Sequence, residues 1–245
     1  MPKRPLSPSA VSSNPRPPVP PLPDRFFDQY ASAPRIGDDP ELHDGRIRQS
    51  PHIEGKWPTH VYCQWIPTES VAAGLESLVP VTASSLVHSP LGAPLPLHVS
   101  LSQPLMLTTQ DRDEFRKGVW ETIGDNSRCF SLKFKSTDWL ANPTQTREFY
   151  ALLAEPSDQL TTLVDATNKV CQAMSYPTLE NPSFHVSLAW RLLDQTSAAR
   201  IARTRLPDDP DNDIQVQRVI DTLDVKIETV KIKIGRTVHS KDLLS

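Results

Sequence analysis

Short stretches of this chain alternate apolar and polar residues, and others repeat their apolar residues at a helical period. "THVYCQWI" (59–66) sets Val61, Cys63 and Trp65 against polar neighbours, the pattern of a strand with one buried face. "TESVAAGLESL" (68–78) puts Val71, Leu75 and Leu78 on one helical stripe, and "LHVSLSQ" (97–103) returns to alternation. "DRDEFRKGVWETI" (111–123) predicts an amphipathic helix with Phe115, Val119 and Ile123 inward, opened by a capping box from Asp111 to Glu114. Strands follow at "FSLKFKS" (130–136) and "EFYALLA" (148–154). A long helix follows at 157–174, started by Ser157 and carrying Leu160, Leu163, Val164 and Cys171 on its inner face. "FHVSLAW" (184–190) is a strand and "SAARIARTRL" (197–206) a short helix. "DDPDND" (208–213) is an acidic loop, and "VKIETVKIKIG" (225–235) supplies one or two closing strands. Several neighbouring strands are joined by connections too short for parallel crossovers, so the expected fold is antiparallel α+β and not a doubly wound sheet.

Composition narrows how much of the chain belongs to that fold. Residues 2–23 hold nine prolines and no acidic residue, so residues 1–23 are expected to form an extended, disordered tail. Residues 24–49 are irregular and charged, with Phe26, Phe27 and Tyr30 as anchors onto the body, which is expected to span 50–245. There is no apolar run long enough for a membrane span and no signal-peptide core, so no membrane partner is expected. Cys63, Cys129 and Cys171 are odd in number, widely spaced and set in apolar patterns, which predicts reduced thiols packed in the core. A net charge of −3 excludes an overall basic nucleic-acid binder but leaves room for a local patch, and residues 225–241 carry five Lys or Arg against one Glu.

Candidate chemistry comes from a tetrapeptide spelled twice, "HVSL" at His98–Leu101 and again at His185–Leu188. In a strand, His98 and Ser100 share one face while Leu97, Val99 and Leu101 share the other, and His185 and Ser187 likewise oppose Phe184, Val186 and Leu188. The apolar sets claim the core, so both His-x-Ser pairs point away from it. Each motif precedes a helix and further strands, which predicts two similar lobes with the paired faces lining the groove between them. Two imidazoles across a cleft supply a base and an acid near neutral pH. Two hydroxyls beside them donate to the non-bridging oxygens of a phosphate. The set is complete for in-line attack at a phosphodiester without metal or cofactor, and an RNA 2′-hydroxyl is the natural internal nucleophile. A cyclic phosphodiesterase for small nucleotides would use the same residues. A non-catalytic RNA cradle would be better served by Arg or Lys. His60 is expected to be structural and His43, His52 and His88 to fix loops or lie on the surface, while His239, near the basic C-terminus, could approach a bound RNA.

The repeated motif resembles the signature of the 2H phosphoesterase superfamily, whose pseudo-symmetric lobes each supply one His-x-Ser/Thr. "GRIRQSPHIEGKWPTHVY", "FSLKFKS", "TREFYALL", "NPSFHVSLAW" and the terminal "KIG" resemble, more narrowly, the U6 snRNA phosphodiesterase family, from about Pro20 to the C-terminus. The resemblance implies a monomeric nuclear 3′-to-5′ exoribonuclease that trims the uridine-rich tail of U6 snRNA. Its product end is a 2′,3′-cyclic phosphate, which some members open to a 3′-phosphate. On that pattern His98 and His185 are catalytic, and Ser100 and Ser187 bind the phosphate. Family members often carry an aromatic residue shortly before the second histidine that stacks on uracil. Leu179 stands there in this chain, so Tyr176, three residues earlier, becomes the candidate stacking residue. Arg236 follows Gly235 where the family tends to have Asn.

Overall fold

A computed structural model describes residues 53–193 and 210–245. The proline-rich tail, the 24–49 segment with Phe26, Phe27 and Tyr30, His43, "GRIR" (45–48), His52 and the helix expected at 197–206 lie outside the described residues. In chain order the first elements are β1 (Lys56–Trp65), α1 (Glu69–Glu76), β2 (Ser84–Ser85), β3 (Leu97–Ser100), β4 (Leu105–Thr108) and α2 (Asp111–Ile123). They are followed by β5 (Phe130–Leu132), β6 (Phe134–Ala141), β7 (Arg147–Ala154), α3 (Asp158–Ala173) and β8 (His185–Leu192). The chain closes with α4 (Pro210–Ile220), β9 (Val225–Ile227), β10 (Thr229–Ile234) and β11 (Thr237–Asp242). No helix among the described residues is long and apolar enough to cross a membrane.

Two antiparallel sheets result, as the alternating stretches predict. One runs β11-β10-β1-β3, with β4 pairing beside the first half of β1. The other runs β2-β8-β7-β6, and β5 with β9 forms a separate ribbon. β3 packs against β8, so the two strands that carry the repeated motif are the ones that bring the sheets together. Val61, Cys63, Val99, Leu101, Val186 and Leu188 are all buried, and the hydrophobic effect thereby fixes which face of each strand is left for other work. α2 and α3 pack on one another, with Phe115, Val119, Ile123, Leu160, Leu163, Val164 and Cys171 inward as their periodicity demands. Ser157 caps α3 by accepting from the Leu160 N–H at 3.2 Å. Burial pushes the Cys171 thiol up to about 11 and the Cys63 thiol higher still, which keeps both protonated.

The structure departs from the sequence pattern in four places. "LHVSLSQ" ends as a strand at Ser100, and the chain turns past Pro104 into β4, so that β3 and β4 pair with different halves of β1. "FSLKFKS" is split at Lys133 because its two halves have different partners, β9 and β7. The capping box at Asp111 does not form. Asp111 is already helical, and the side chain of Thr108 accepts from its N–H at 3.3 Å and donates to its Oδ2 at 2.6 Å. Finally, "DDPDND" is not simply a loop, since α4 starts at Pro210. A proline and acidic residues suit the first turn of a helix, where the backbone N–H groups lack partners and the dipole is positive.

The terminal "KIG" closes the β10–β11 hairpin. Gly235 takes φ +59 in the two-residue loop, and its N–H bonds the Pro58 carbonyl at 2.8 Å. A Cβ at this position would meet Trp57 Cε3 at 2.7 Å. The glycine thus serves both the turn and the close approach of Trp57, whose ring also carries the Arg112 guanidinium at 4.2 Å.

Candidate active site

Alternation along β1 puts His60, Tyr62 and Gln64 on the face opposite Val61, Cys63 and Trp65. Register then does the rest. Across β3, Gln64 sits beside His98 and Tyr62 beside Ser100. Across β10, His60 sits beside Lys233 and Tyr62 beside Lys231. One face of the first sheet is therefore polar and aromatic, and β3 presents it toward β8. On β8, His185 and Ser187 share a face as expected, half-buried, while Val186 and Leu188 are in the core. The register with β7 slips by one residue just after Ser187. This bulge turns Ala189 and Arg191 to the opposite face, where Arg191 pairs with the buried Glu148 at 2.5 Å and covers Trp139 at 3.9 Å. The His-x-Ser pair is left as the polar end of an otherwise packed strand.

Two features tune the histidines. His185 Nδ1 lies 2.7 Å from the Ser183 carbonyl, a bond in which Nδ1–H must donate, so Nε2 is the atom left to exchange protons. His98 meets solvent at the groove, but protein encloses much of the ring, and desolvation moves its pKa below the usual imidazole range. The charges of His185 and then Lys233 push the same way.

The structure also gathers residues to which no motif pointed. His60 Nε2 is 3.0 Å from Ser100 Oγ, and its ring meets His98 edge-on at 5.5 Å and stacks on Tyr62 at 5.3 Å. Desolvation, then the His98 and Lys233 charges, lower its pKa to about 3. His60 therefore borders the site, where it was expected to be structural. Lys233 is exposed on the same face and is a member of the 225–241 basic run that reaches the histidines electrostatically. Lys226 is held by Glu228 at 2.7 Å, and Lys241 by Asp125 at 2.7 Å. The signal for His60 was its parity with Tyr62 and Gln64, usable only once the pairing of β1 with β3 is known.

The other named residues have partners of their own. The Tyr176 hydroxyl donates to the Asp111 carboxylate and accepts from the Thr108 N–H at 3.1 Å, and its ring meets Phe115 edge-on at 6.3 Å. These contacts tie the end of α3 to the start of α2. Leu179 is fixed by Asn168, which exchanges two 2.9 Å hydrogen bonds with its backbone. His239 pairs with Ile232 on the core-facing side of β10–β11, close to the charges of Arg116 and Asp113, so it does not face the groove. His88 fixes its loop through Glu76 at 2.9 Å, as expected.

Comparison with known proteins gives the family and the fold. The family model described as "HVSL: Uncharacterised conserved protein" matches residues 20–242. U6 snRNA phosphodiesterase 1 of Neurospora crassa is 31% identical over 92% of this chain and 74% of its own length. The protein of the same name from Danio rerio is 28% identical over 74% of this chain and 66% of its own. Among solved structures, Kluyveromyces marxianus Usb1 with uridine monophosphate superposes with a TM-score of 0.59 at 16% identity, covering 76% of this chain and 98% of that one. The last comparison establishes the shared two-lobed fold.

Proposed function

Because this chain belongs to the U6 snRNA phosphodiesterase family, we propose that it is an RNA phosphodiesterase that trims the 3′ end of U6 snRNA. The observation that carries the reading is the meeting of β3 and β8, each bearing a His-x-Ser pair on its groove face. RNA is the partner, and the maturation of a spliceosomal RNA places the work in the nucleus.

The reaction follows from these side chains. A neutral imidazole removes the proton of the 2′-hydroxyl on the penultimate nucleotide. That oxygen attacks the adjacent phosphorus, and the bond to the 5′-oxygen of the terminal nucleoside breaks in line. A protonated imidazole gives its proton to the departing oxygen, leaving a 2′,3′-cyclic phosphate and a free nucleoside. The downward shift of His98 suits it to be the base, with His185 delivering the proton from Nε2. Water in place of the nucleoside would reverse the roles and open the ring to a 3′-phosphate. Ser100 and Ser187 donate to the non-bridging oxygens as negative charge grows there. Lys233 adds a positive charge beside the path of the backbone.

The reading is tested by incubating the protein with oligouridine ending in a 2′,3′-diol and identifying product termini by mass. Stepwise shortening with cyclic or 3′-phosphate ends is expected. Among the described residues no three His, Cys, Asp or Glu side chains gather as metal ligands, and the proposed chemistry uses none, so the rate should hold in excess EDTA. Turnover of 2′,3′-cyclic nucleotides with no shortening of oligouridine would instead indicate a small-nucleotide enzyme.

The serines are expected to act through the phosphate and not as nucleophiles. Losing one oriented donor at a developing oxyanion typically costs on the order of 10²-fold, so Ser100→Ala or Ser187→Ala should slow trimming without ending it. A covalent phosphoserine trapped during turnover would contradict the assignment.

A further inference from the structure

We propose that His60 is a positioning residue for the cleavage, an imidazole whose Nε2–H donates to Ser100 Oγ and so leaves the Ser100 hydroxyl proton to point at the phosphate. The inference rests on the reading of Ser100 as a phosphate contact. The geometry is direct, since His60 Nε2 lies 3.0 Å from Ser100 Oγ across the β1–β3 pair. The His60 ring is held by its stacking on Tyr62 and its edge contact with His98, so it cannot swing freely. Lys233 lies beside it across β10.

A hydroxyl has one proton to donate. If His60 carried its proton on Nδ1, Nε2 would accept from Ser100, and Ser100 could offer a phosphate oxygen only lone pairs. With the proton on Nε2, His60 donates to Ser100 and the hydroxyl is free to donate onward. Only this tautomer makes Ser100 a phosphate donor, and an anionic phosphate in the groove favours it electrostatically. The lowered pKa of about 3 keeps His60 neutral across the physiological range, which preserves the distinction between the two tautomers. A doubly protonated ring would donate as well, but it would add a second cation next to His98. His60 therefore acts through Ser100 and does not itself exchange protons with the substrate.

The test compares His60→Phe, which keeps the ring and its stacking, with His60→Gln, whose amide N–H can stand where Nε2–H stood. His60→Phe is expected to lower kcat on oligouridine roughly ten- to a hundred-fold, approaching the effect of losing the Ser100 donor itself. KM and the melting temperature should be unchanged, and His60→Gln should recover most of the rate. The double variant H60F/S100A should be no slower than S100A alone, since both act through one hydroxyl. A His60→Phe enzyme at the wild-type rate, or one whose loss adds fully to that of S100A, would overturn the proposal. So would a lowered melting temperature with unchanged kcat, the mark of a packing role. If the wild-type protein does not shorten oligouridine, the functional reading fails. The proposal is then judged by nitrogen NMR of the His60 ring with inorganic phosphate bound, where an Nδ1–H tautomer would refute it and an Nε2–H tautomer support it.

Discussion

Replacing either His98 or His185 by alanine is expected to reduce oligouridine trimming to the background of the assay. General acid or base catalysis by one side chain contributes about 10²–10⁴-fold. In the proposed mechanism the two act on one proton transfer sequence, so loss of either stalls the whole. The double variant should consequently be little worse than either single one, because groups that act as a unit are not additive. The fold should be unaffected. Val99 and Val186, not the histidines, fill the core between the motif strands, and both histidines look onto the groove. RNA affinity should also survive, since the phosphate contacts proposed for Ser100, Ser187 and Lys233 remain. Melting temperature, RNA binding and trimming rate measured on the same preparations separate these effects. A single variant that retains more than about a tenth of the wild-type rate would rule out the paired-histidine mechanism.

The part of the site that could be foreseen is the part encoded by local alternation. One His-x-Ser in a strand says little, but the opposing Val99 and Leu101, and Val186 and Leu188, dictate which face the polar pair takes. α2 was legible for the same reason, because Phe115, Val119 and Ile123 leave no other face to bury. What was not legible depends on pairing. β4 and β11 are short and amphipathic only in company. "TVHSKD" has one apolar residue, and it becomes a strand because β10 offers an edge with matching register. His60 reaches Ser100 through the offset between β1 and β3, a long-range fact absent from either segment alone. Tyr176 was nominated from its place shortly before the second motif, and that its hydroxyl joins Asp111 and Thr108 depends on the turn after α3, which no local pattern reveals. Asp111 in turn shows why the capping box failed, since Thr108 already serves the α2 terminus from the preceding strand.

A single 2′-deoxy substitution at the penultimate nucleotide is expected to stop release of the terminal nucleoside, while deoxy substitutions elsewhere in the oligouridine leave the first cleavage intact. The reason is the identity of the nucleophile. The 2′-oxygen of that residue is already tethered to the phosphorus it attacks, and a well-oriented internal nucleophile is worth an effective molarity of about 10⁵–10⁸ M. No side chain of the candidate site replaces it. In the proposed roles the imidazoles exchange protons, Lys233 supplies positive charge to the backbone, and the serines donate to oxygens that carry growing charge. A water could enter only where the departing nucleoside sits, on the leaving-group side of the phosphorus, and there it opens a cyclic phosphate that already exists. It has no in-line path to the first cleavage, because the tethered ribose occupies the opposite side. Binding should be nearly unchanged, since the proposed contacts are to phosphate, so the deoxy oligomer should act as a competitive inhibitor of trimming with an inhibition constant near the KM of its ribo counterpart. If the deoxy substrate is shortened at the normal rate, water is the direct nucleophile. The roles given to His98 and His185 would then have to be reassigned to activating it.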